Sequence, residues 1–178
     1  MRRQVFAIAV TLLCAFGAHS FSRAGAEQPA WSEVPWPFPI DQWGRGKAYT
    51  CAAADCGAAV TLYVRAKIGF CNCSTGVADD AELDRISDFD LIGSPAIPHG
   101  PGRPIAVGWM QGRSRAFDIA GPLGRRVSAL SVGFNDKCDA VVATAVAASG
   151  GAASVEPAVL AFLNSRTVLA WAETALGL

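Results

Sequence analysis

Hydrophobic and polar residues alternate most regularly at positions 60–70. The even positions carry Val, Leu, Val, Ala, Ile and Phe, and none of the five positions between them is aliphatic. Because successive side chains of a strand point to opposite faces, the pattern predicts a strand over Val60–Phe70 with one buried face. The shorter run Lys47–Cys51 precedes it across a connecting loop and is predicted to be its partner strand.

Two more hairpins are predicted further along the chain, from the same alternation and from polar turn residues between the strands. Their segments are strand 105–109, turn 112–114 and return strand 117–119, then strand 130–134, turn 135–137 and return strand 138–146. The stretch 93–104 contains four prolines and three glycines, and this composition predicts a loop.

Helix signals replace strand signals in two places. A capping pattern predicts a short helix over Asp79–Ile86, since its first residue is followed three positions later by Glu82. Near the C-terminus, Ser154 is predicted to cap one helical stretch, and Asn164 or Ser165 is predicted to cap a second. Strands in the middle and helix at the end predict an α+β fold. We expect an antiparallel sheet of about five strands, clipped by disulfides and packed against a C-terminal helix in one or two parts.

The first 26 residues have the features of a secretory signal peptide. Arg2 and Arg3 are followed by an apolar run over 5–17 and by the small-residue sequence Ala24-Gly25-Ala26. The apolar run is too short to span a bilayer, so no stable membrane anchor is expected after cleavage. We therefore expect an exported protein, periplasmic in a Gram-negative cell and otherwise extracellular, in a compartment where thiols oxidise.

Composition divides the chain after this segment into two parts. Residues 27–46 are rich in proline and tryptophan and are predicted to form an extended N-terminal arm. Trp36, Phe38 and Trp43 in this arm either cover the core or, where they face solvent, form a partner-binding strip. Residues 47–178 are predicted to form a single α+β domain, since their number suits one core.

The charge balance excludes one large class of partners. Residues 1–26 hold three arginines and no acid, so residues 27–178 carry 12 basic and 15 acidic side chains. A chain without a basic field does not attract nucleic acid or an anionic lipid surface. We expect the partner to be an unidentified protein or small-molecule ligand, and the sequence implies no cofactor.

Five of the six cysteines lie beyond residue 26. The strand predicted between the second and third of them would hold its ends about 33 Å apart, too far for a disulfide between the pair before it and the pair after it. A local Cys51–Cys56 disulfide is therefore predicted, together with a second disulfide that joins Cys138 to either Cys71 or Cys73. The fifth cysteine is left as a thiol.

Thiol chemistry is the alternative use of the cysteines. Cys71 and Cys73 are one residue apart, and a reduced pair of this kind is a candidate for redox exchange or for binding a soft metal such as copper or zinc. Thiol titration separates the two interpretations, because two disulfides leave one thiol whereas a reduced pair beside the local bridge leaves three. Export to an oxidising compartment favours the interpretation with two disulfides over the reduced pair.

Other candidate chemistry is sparse. His99 is the single histidine beyond residue 26 and lies in the proline-rich loop, so a serine triad or a multi-histidine metal site is not expected. Six acids over 79–90 do not have the spacing of a calcium-binding loop, and we expect them to cap a helix and form its solvated face. The leading expectation is a non-catalytic binding or accessory protein. A hydrolase of unfamiliar design that uses His99 is a further alternative.

Overall fold

One antiparallel sheet of eight strands organises the part of the chain that the structure describes. The computed structural model describes residues 30–121, 125–148 and 150–178. Its strands are β1 (Trp31–Val34), β2 (Lys47–Cys51), β3 (Val60–Lys67), β4 (Ala96–Pro98), β5 (Arg103–Val107), β6 (Met110–Ala120), β7 (Arg126–Asp136) and β8 (Asp139–Ala147). Its helices are α1 (Ala53–Cys56), α2 (Asp80–Ile86), α3 (Phe89–Ile92), α4 (Ala152–Leu163) and α5 (Arg166–Leu176). The predicted α+β fold is confirmed, and the sheet is larger than the expected five strands.

Short edge strands account for the larger sheet. The order is β1-β2-β3-β8-β7-β6, and β4 and β5 both pair with the outer edge of β6. β1 lies within the segment predicted as an arm, and β4 lies within the stretch predicted as loop. Pro98 and Pro104 fit at this outer edge because a proline has no N–H to donate to a further strand. The loop prediction for 93–104 is therefore wrong where β4 and β5 form.

β3 is shorter than predicted and is buried on both faces. The alternate apolar positions of the strand pack against the C-terminal helices, as predicted. The strand ends at Lys67 instead of Phe70 because the chain turns at Gly69, which has φ +65°, and Ile68 is consequently exposed. The prediction of a single buried face is wrong, since Arg65 and Lys67 on the opposite face are also buried.

The β5–β6 hairpin turns earlier than the sequence predicts. Its two-residue turn consists of Gly108 and Trp109, and Gly108 has φ +58° at the first turn position. Gly112, which predicts a turn at 112–114, lies instead inside β6, where a Cβ would clash with the backbone of Gly133 on β7. This glycine permits two strands to approach closely and does not mark a turn.

Helices cover both faces of the sheet. α4 and α5 pack on one face and form the main core with the apolar residues of β3, β7 and β8. α2 and α3 pack on the other face, where Leu83 and Ile86 of α2 are fully buried. Ser165 caps α5 by accepting from the backbone N–H of Val168, as predicted, whereas α4 begins at Ala152, before the predicted cap Ser154. The face under α2 and α3 is the one that carries the site.

The predicted signal peptide at 1–26 lies outside the described residues, as do residues 27–29 of the predicted arm. Among the residues that are described, no helix is both long enough and apolar enough to cross a bilayer.

Candidate functional site

Charged side chains are buried between the sheet and the α2–α3 pair. Arg65 and Lys67 lie on the same face of β3 and are 5 % and 4 % exposed. Asp88, in the connection between α2 and α3, is 6 % exposed and lies opposite them. Since an isolated charge is costly to bury, these side chains must pair with one another.

Asp88 bonds to both cations. Its Oδ2 accepts from Nε of Arg65 at 2.6 Å and its Oδ1 accepts from Nη2 of Arg65 at 2.5 Å, which makes the pair bidentate. The same Oδ1 lies 2.7 Å from Nζ of Lys67, which also donates to the carbonyl oxygen of Ile86 at 2.6 Å. One carboxylate therefore holds the α2–α3 connection onto β3 and is shared between two cations.

A second carboxylate reaches the cluster from the segment before β2. Asp41 Oδ2 accepts from Nη1 of Arg65 at 2.6 Å, and the Asp41 side chain is 38 % exposed. Asp41 begins a turn that ends at Gly44, in which the backbone N–H of Trp43 donates to Asp41 Oδ1 at 2.9 Å and that of Gly44 donates to the Asp41 carbonyl at 3.0 Å. We name residues 41–44 the acidic turn.

Two aromatic rings form a wall beside the charge cluster. The ring centroids of Trp43 and Phe70 are 4.4 Å apart, and Nζ of Lys67 lies 5.5 Å from the first and 5.3 Å from the second. The guanidinium of Arg85 lies 4.6 Å from the Phe70 ring. A cleft of about 290 Å³, here named the Trp43–Phe70 cleft, lies between the rings and the charges. Its lining also includes Asp41, Gln42, Ser87, Asp88, Asp90 and Leu91.

The charges of the cleft shift one another's ionisation. Burial lowers the pKa of Lys67, and the neighbouring Asp88 offsets part of that effect. Burial also disfavours the charged form of Arg65, but its hydrogen bonds to Asp88 and Asp41 outweigh this and raise the pKa of Arg65. Desolvation opposes ionisation of Asp41, yet the bond from Arg65 holds the pKa of Asp41 below its usual value. Arg65 and Asp41 are therefore held as an ion pair at neutral pH.

Three of the six acids over 79–90 neutralise arginines of the sheet. Asp79 caps α2 by accepting from the backbone N–H of Glu82 at 2.8 Å, as predicted. The expectation of a solvated helix face is wrong for three of the other acids, because each bonds to an arginine on the sheet. These pairs are Asp80–Arg113, Asp84–Arg115 and Asp88–Arg65.

The three aromatic residues expected either to cover the core or to bind a partner are half-buried. Trp36 and Phe38 pack on each other and on Tyr63 of β3, with ring centroids between 4.8 and 6.0 Å apart. Trp43 lies against Phe70 in the cleft. Of the three, the structure brings Trp43 to the buried charges, and a role in partner binding stays a prediction for all of them.

Two disulfides clip the described chain. Cys51–Cys56 ties the end of β2 to α1, and Cys73–Cys138 ties the segment after β3 to the β7–β8 turn. Of the two partners that the sequence leaves open for Cys138, the structure therefore selects Cys73. Cys71 is a buried free thiol. Disulfides of this kind suggest an oxidising compartment.

The thiol and soft-metal alternative needs a reduced Cys71/Cys73 pair, and the structure bonds Cys73 to Cys138 instead. Burial raises the pKa of Cys71 to about 11, so this thiol forms little of the reactive thiolate at neutral pH. Within the described part of the chain, no three His, Cys, Asp or Glu side chains converge in a group that could hold a metal ion.

The reactivity of Cys71 is directly measurable. In a chain carrying Cys14→Ser, thiol titration at pH 7 is expected to give one thiol, which reacts on the order of 100-fold more slowly in the folded protein than in urea. The reason is that burial raises the pKa of Cys71 to about 11, so the folded protein holds far less thiolate at pH 7 than the unfolded chain does. Three titratable thiols, or one that reacts at the unfolded rate, would support the alternative.

His99 lies in the connection between β4 and β5, and its Nε2 is 3.0 Å from Asp118 Oδ1. A second cleft of about 380 Å³ lies beside it. In that cleft Ser114 donates to the buried carboxylate of Glu156, which also accepts from Arg103. The serine thus bonds to a carboxylate that an arginine already neutralises, and the serine–histidine contact of a hydrolase triad is not formed by these residues.

Most residues that line the Trp43–Phe70 cleft are not predicted from the sequence to be binding residues. Arg65 and Lys67 occupy polar positions of an alternating strand and are therefore interpreted as facing solvent. One signal could have corrected this, because the return strand predicted at 138–146 is almost continuously apolar, which is typical of a strand buried on both faces. β3 pairs with this strand in the interior of the sheet and is covered on both faces as well, so its buried charges must be paired.

Comparisons with protein-family models, with curated proteins and with solved structures give no match for this chain. Its function is therefore inferred from the geometry and charges of the site.

Proposed function

We propose that this protein is an exported, non-catalytic binding protein and that the Trp43–Phe70 cleft is its ligand site. The observation that carries the proposal is the cleft, which joins an aromatic wall to charged side chains that converge from β3, from the α2–α3 connection and from the acidic turn. Small-molecule sites are typically concave, with apolar walls and a few fixed polar groups that orient the ligand. A volume of about 290 Å³ suits a small ligand.

The bonding of the buried charges supports binding over proton transfer. Lys67 donates to Asp88 and to a backbone carbonyl, and Asp88 accepts from both cations. A general base or nucleophile must have a lone pair free for the substrate, and either group would first have to leave a buried ion pair to provide one. The cluster is therefore suited to fix a ligand in place.

Export is proposed from the character of residues 1–26 and is supported by the two disulfides. Cys51–Cys56 and Cys73–Cys138 together use four of the five cysteines beyond residue 26. Such a pattern persists in oxidising compartments and is rare where thiols are kept reduced.

A fragment screen by NMR tests the binding proposal. Small aromatic and polar fragments are expected to shift the indole N–H signal of Trp43, and Trp43→Ala is expected to weaken their binding about tenfold, because it removes one ring of the wall. Trp43→Phe keeps a ring against Phe70 and is expected to retain most of the affinity.

Trp109→Ala is the matched control for this screen, because Trp109 is exposed in the β5–β6 turn and lies outside the cleft lining. It is expected to leave fragment binding unchanged. A screen in which no fragment reaches Trp43, or in which Trp43→Ala and Trp109→Ala behave alike, would contradict the proposal.

A further inference from the structure

Two buried cations share one buried carboxylate in the Trp43–Phe70 cleft. Asp88 bonds to both Arg65 and Lys67, which leaves one positive charge without a buried counter-charge. Asp41 supplies the missing negative charge by accepting from Nη1 of Arg65. A buried positive charge strongly favours an anion at this position.

Asp41 is held less firmly than the other members of the cluster. Its side chain is 38 % exposed, whereas those of Arg65 and Asp88 are each 6 % exposed. Asp41 lies on the acidic turn, outside the strands and helices that position the other two. To rotate towards solvent, its carboxylate must release the bond from Nη1 of Arg65 and the bond from the backbone N–H of Trp43, while Arg65 and Asp88 stay in place.

The position that Asp41 occupies has a defined chemistry. It presents Nη1 of Arg65, lies beside the ring wall of Trp43 and Phe70, and opens to solvent. One excess positive charge matches a monoanion, whereas a dianion would leave a buried negative charge uncompensated. A carboxylate fits the guanidinium, and the rings fit an apolar body attached to it.

We infer that the cleft binds a small carboxylate with an apolar or aromatic body, and that Asp41 occupies the carboxylate position as an internal competitor. The inference rests on the proposed function, because it assigns a ligand class to the same cleft. The ligand carboxylate replaces Asp41 on Arg65 while its body lies against Trp43 and Phe70. Removal of Asp41 must then strengthen the binding of carboxylates and leave neutral analogues unaffected.

Benzoate and benzamide test this inference, because they share a ring and differ in charge. In the full chain, Asp41→Ala is expected to bind benzoate at least about tenfold more tightly than the wild type, since an internal carboxylate no longer competes. Benzamide is expected to bind both proteins equally. Isothermal titration at fixed ionic strength measures the affinities, and the Nε–H signal of Arg65 locates the binding.

Asp90→Ala is the matched control, because Asp90 lines the same cleft, is exposed and forms no ion pair within the described residues. It removes the same charge without freeing Arg65, so it is expected to strengthen benzoate binding by about threefold at most, well below the gain in Asp41→Ala. Should Asp41→Ala fail to fold, Asp41→Asn removes the charge at constant size and carries the same expectation.

The two proposals fail in different ways. The carboxylate inference would be overturned by any of three results. These are a gain in benzoate affinity that is equal in Asp41→Ala and Asp90→Ala, a gain in affinity that benzamide shares, and no gain in benzoate affinity at all. Fragments that still depend on Trp43 would then leave the binding proposal standing. A third result is also informative: benzoate binds tightly and shifts the Arg65 signal, but Trp43→Ala does not change its affinity. This result would support the anion position at Arg65 and contradict a role for the aromatic wall in the ligand site.

Discussion

Replacing Asp88 by alanine is expected to lower the free energy of unfolding by about 3–5 kcal/mol, because it leaves two buried cations with only a partly exposed counter-charge. Asp88 bonds to Arg65 at 2.5 and 2.6 Å and to Lys67 at 2.7 Å, whereas Asp41, the other carboxylate of the cluster, bonds to Arg65 and not to Lys67. Urea unfolding followed by circular dichroism measures the loss. The unfolding slope is expected to stay constant if the native fold is kept.

Asp90→Ala again serves as the control, since it removes a nearby exposed acid and is expected to change stability by no more than about 0.5 kcal/mol. A second variant separates charge from packing. Lys67→Met in the Asp88→Ala background is expected to recover part of the loss, because an apolar side chain of similar length removes one of the uncompensated charges. Equal losses in Asp88→Ala and Asp90→Ala, or no recovery with Lys67→Met, would show that the cluster contributes little.

The elements of the fold that could be predicted are those with a local signal. The start of β3 follows from period-two alternation, β2 from its place as the short run before that strand, and the cap of α2 from Asp79 and Glu82. Edge strands lack such a signal, since β1 and β4 are four and three residues long and β4 contains Pro98. A proline indicates a loop when only the sequence is available, and its place at the outer edge of β6 is known only from the sheet order.

The site could not be predicted because its members are distant in sequence. Asp41 and Asp88 lie 24 and 23 residues from Arg65, on opposite sides of it along the chain. No local pattern links these positions, and each charge by itself is typical of solvent-exposed chain. Trp43 could be predicted as a candidate because a segment rich in proline and tryptophan stands out by composition alone, but the charges beside it could not.

Disulfide geometry shows the same division between local and distant information. The short separation of Cys51 and Cys56 and the length of the strand after them were sufficient to predict their pairing from distance alone. The choice between Cys71 and Cys73 for Cys138 could not be made in this way, because both side chains reach the β7–β8 turn and Sγ of Cys71 donates to the carbonyl oxygen of Lys137 at 3.3 Å. In the structure the backbone N–H of Cys71 donates to the carbonyl oxygen of Cys138 at 3.1 Å, and it is Cys73 that forms the disulfide with Cys138.

The Cys73–Cys138 disulfide is expected to contribute more to stability than Cys51–Cys56. The first joins residues 65 positions apart and the second joins residues five apart. In the loop-entropy model these separations correspond to about 4 and about 2 kcal/mol, because the longer closed loop restricts the unfolded chain more strongly. Replacing both cysteines of each bridge by serine, and comparing urea unfolding of the two variants, measures the difference.

The same comparison tests whether this bridge also supports the cleft. Cys73–Cys138 anchors the segment that follows Phe70, whereas Cys51–Cys56 lies outside the cleft lining. Loss of the first bridge is therefore expected to weaken fragment binding at Trp43 under conditions where both variants are fully folded, and loss of the second is not.

Equal stability losses would mean that packing in the folded state outweighs chain entropy. Unchanged fragment binding would mean that contacts on β3 and α2 hold Phe70 without the bridge.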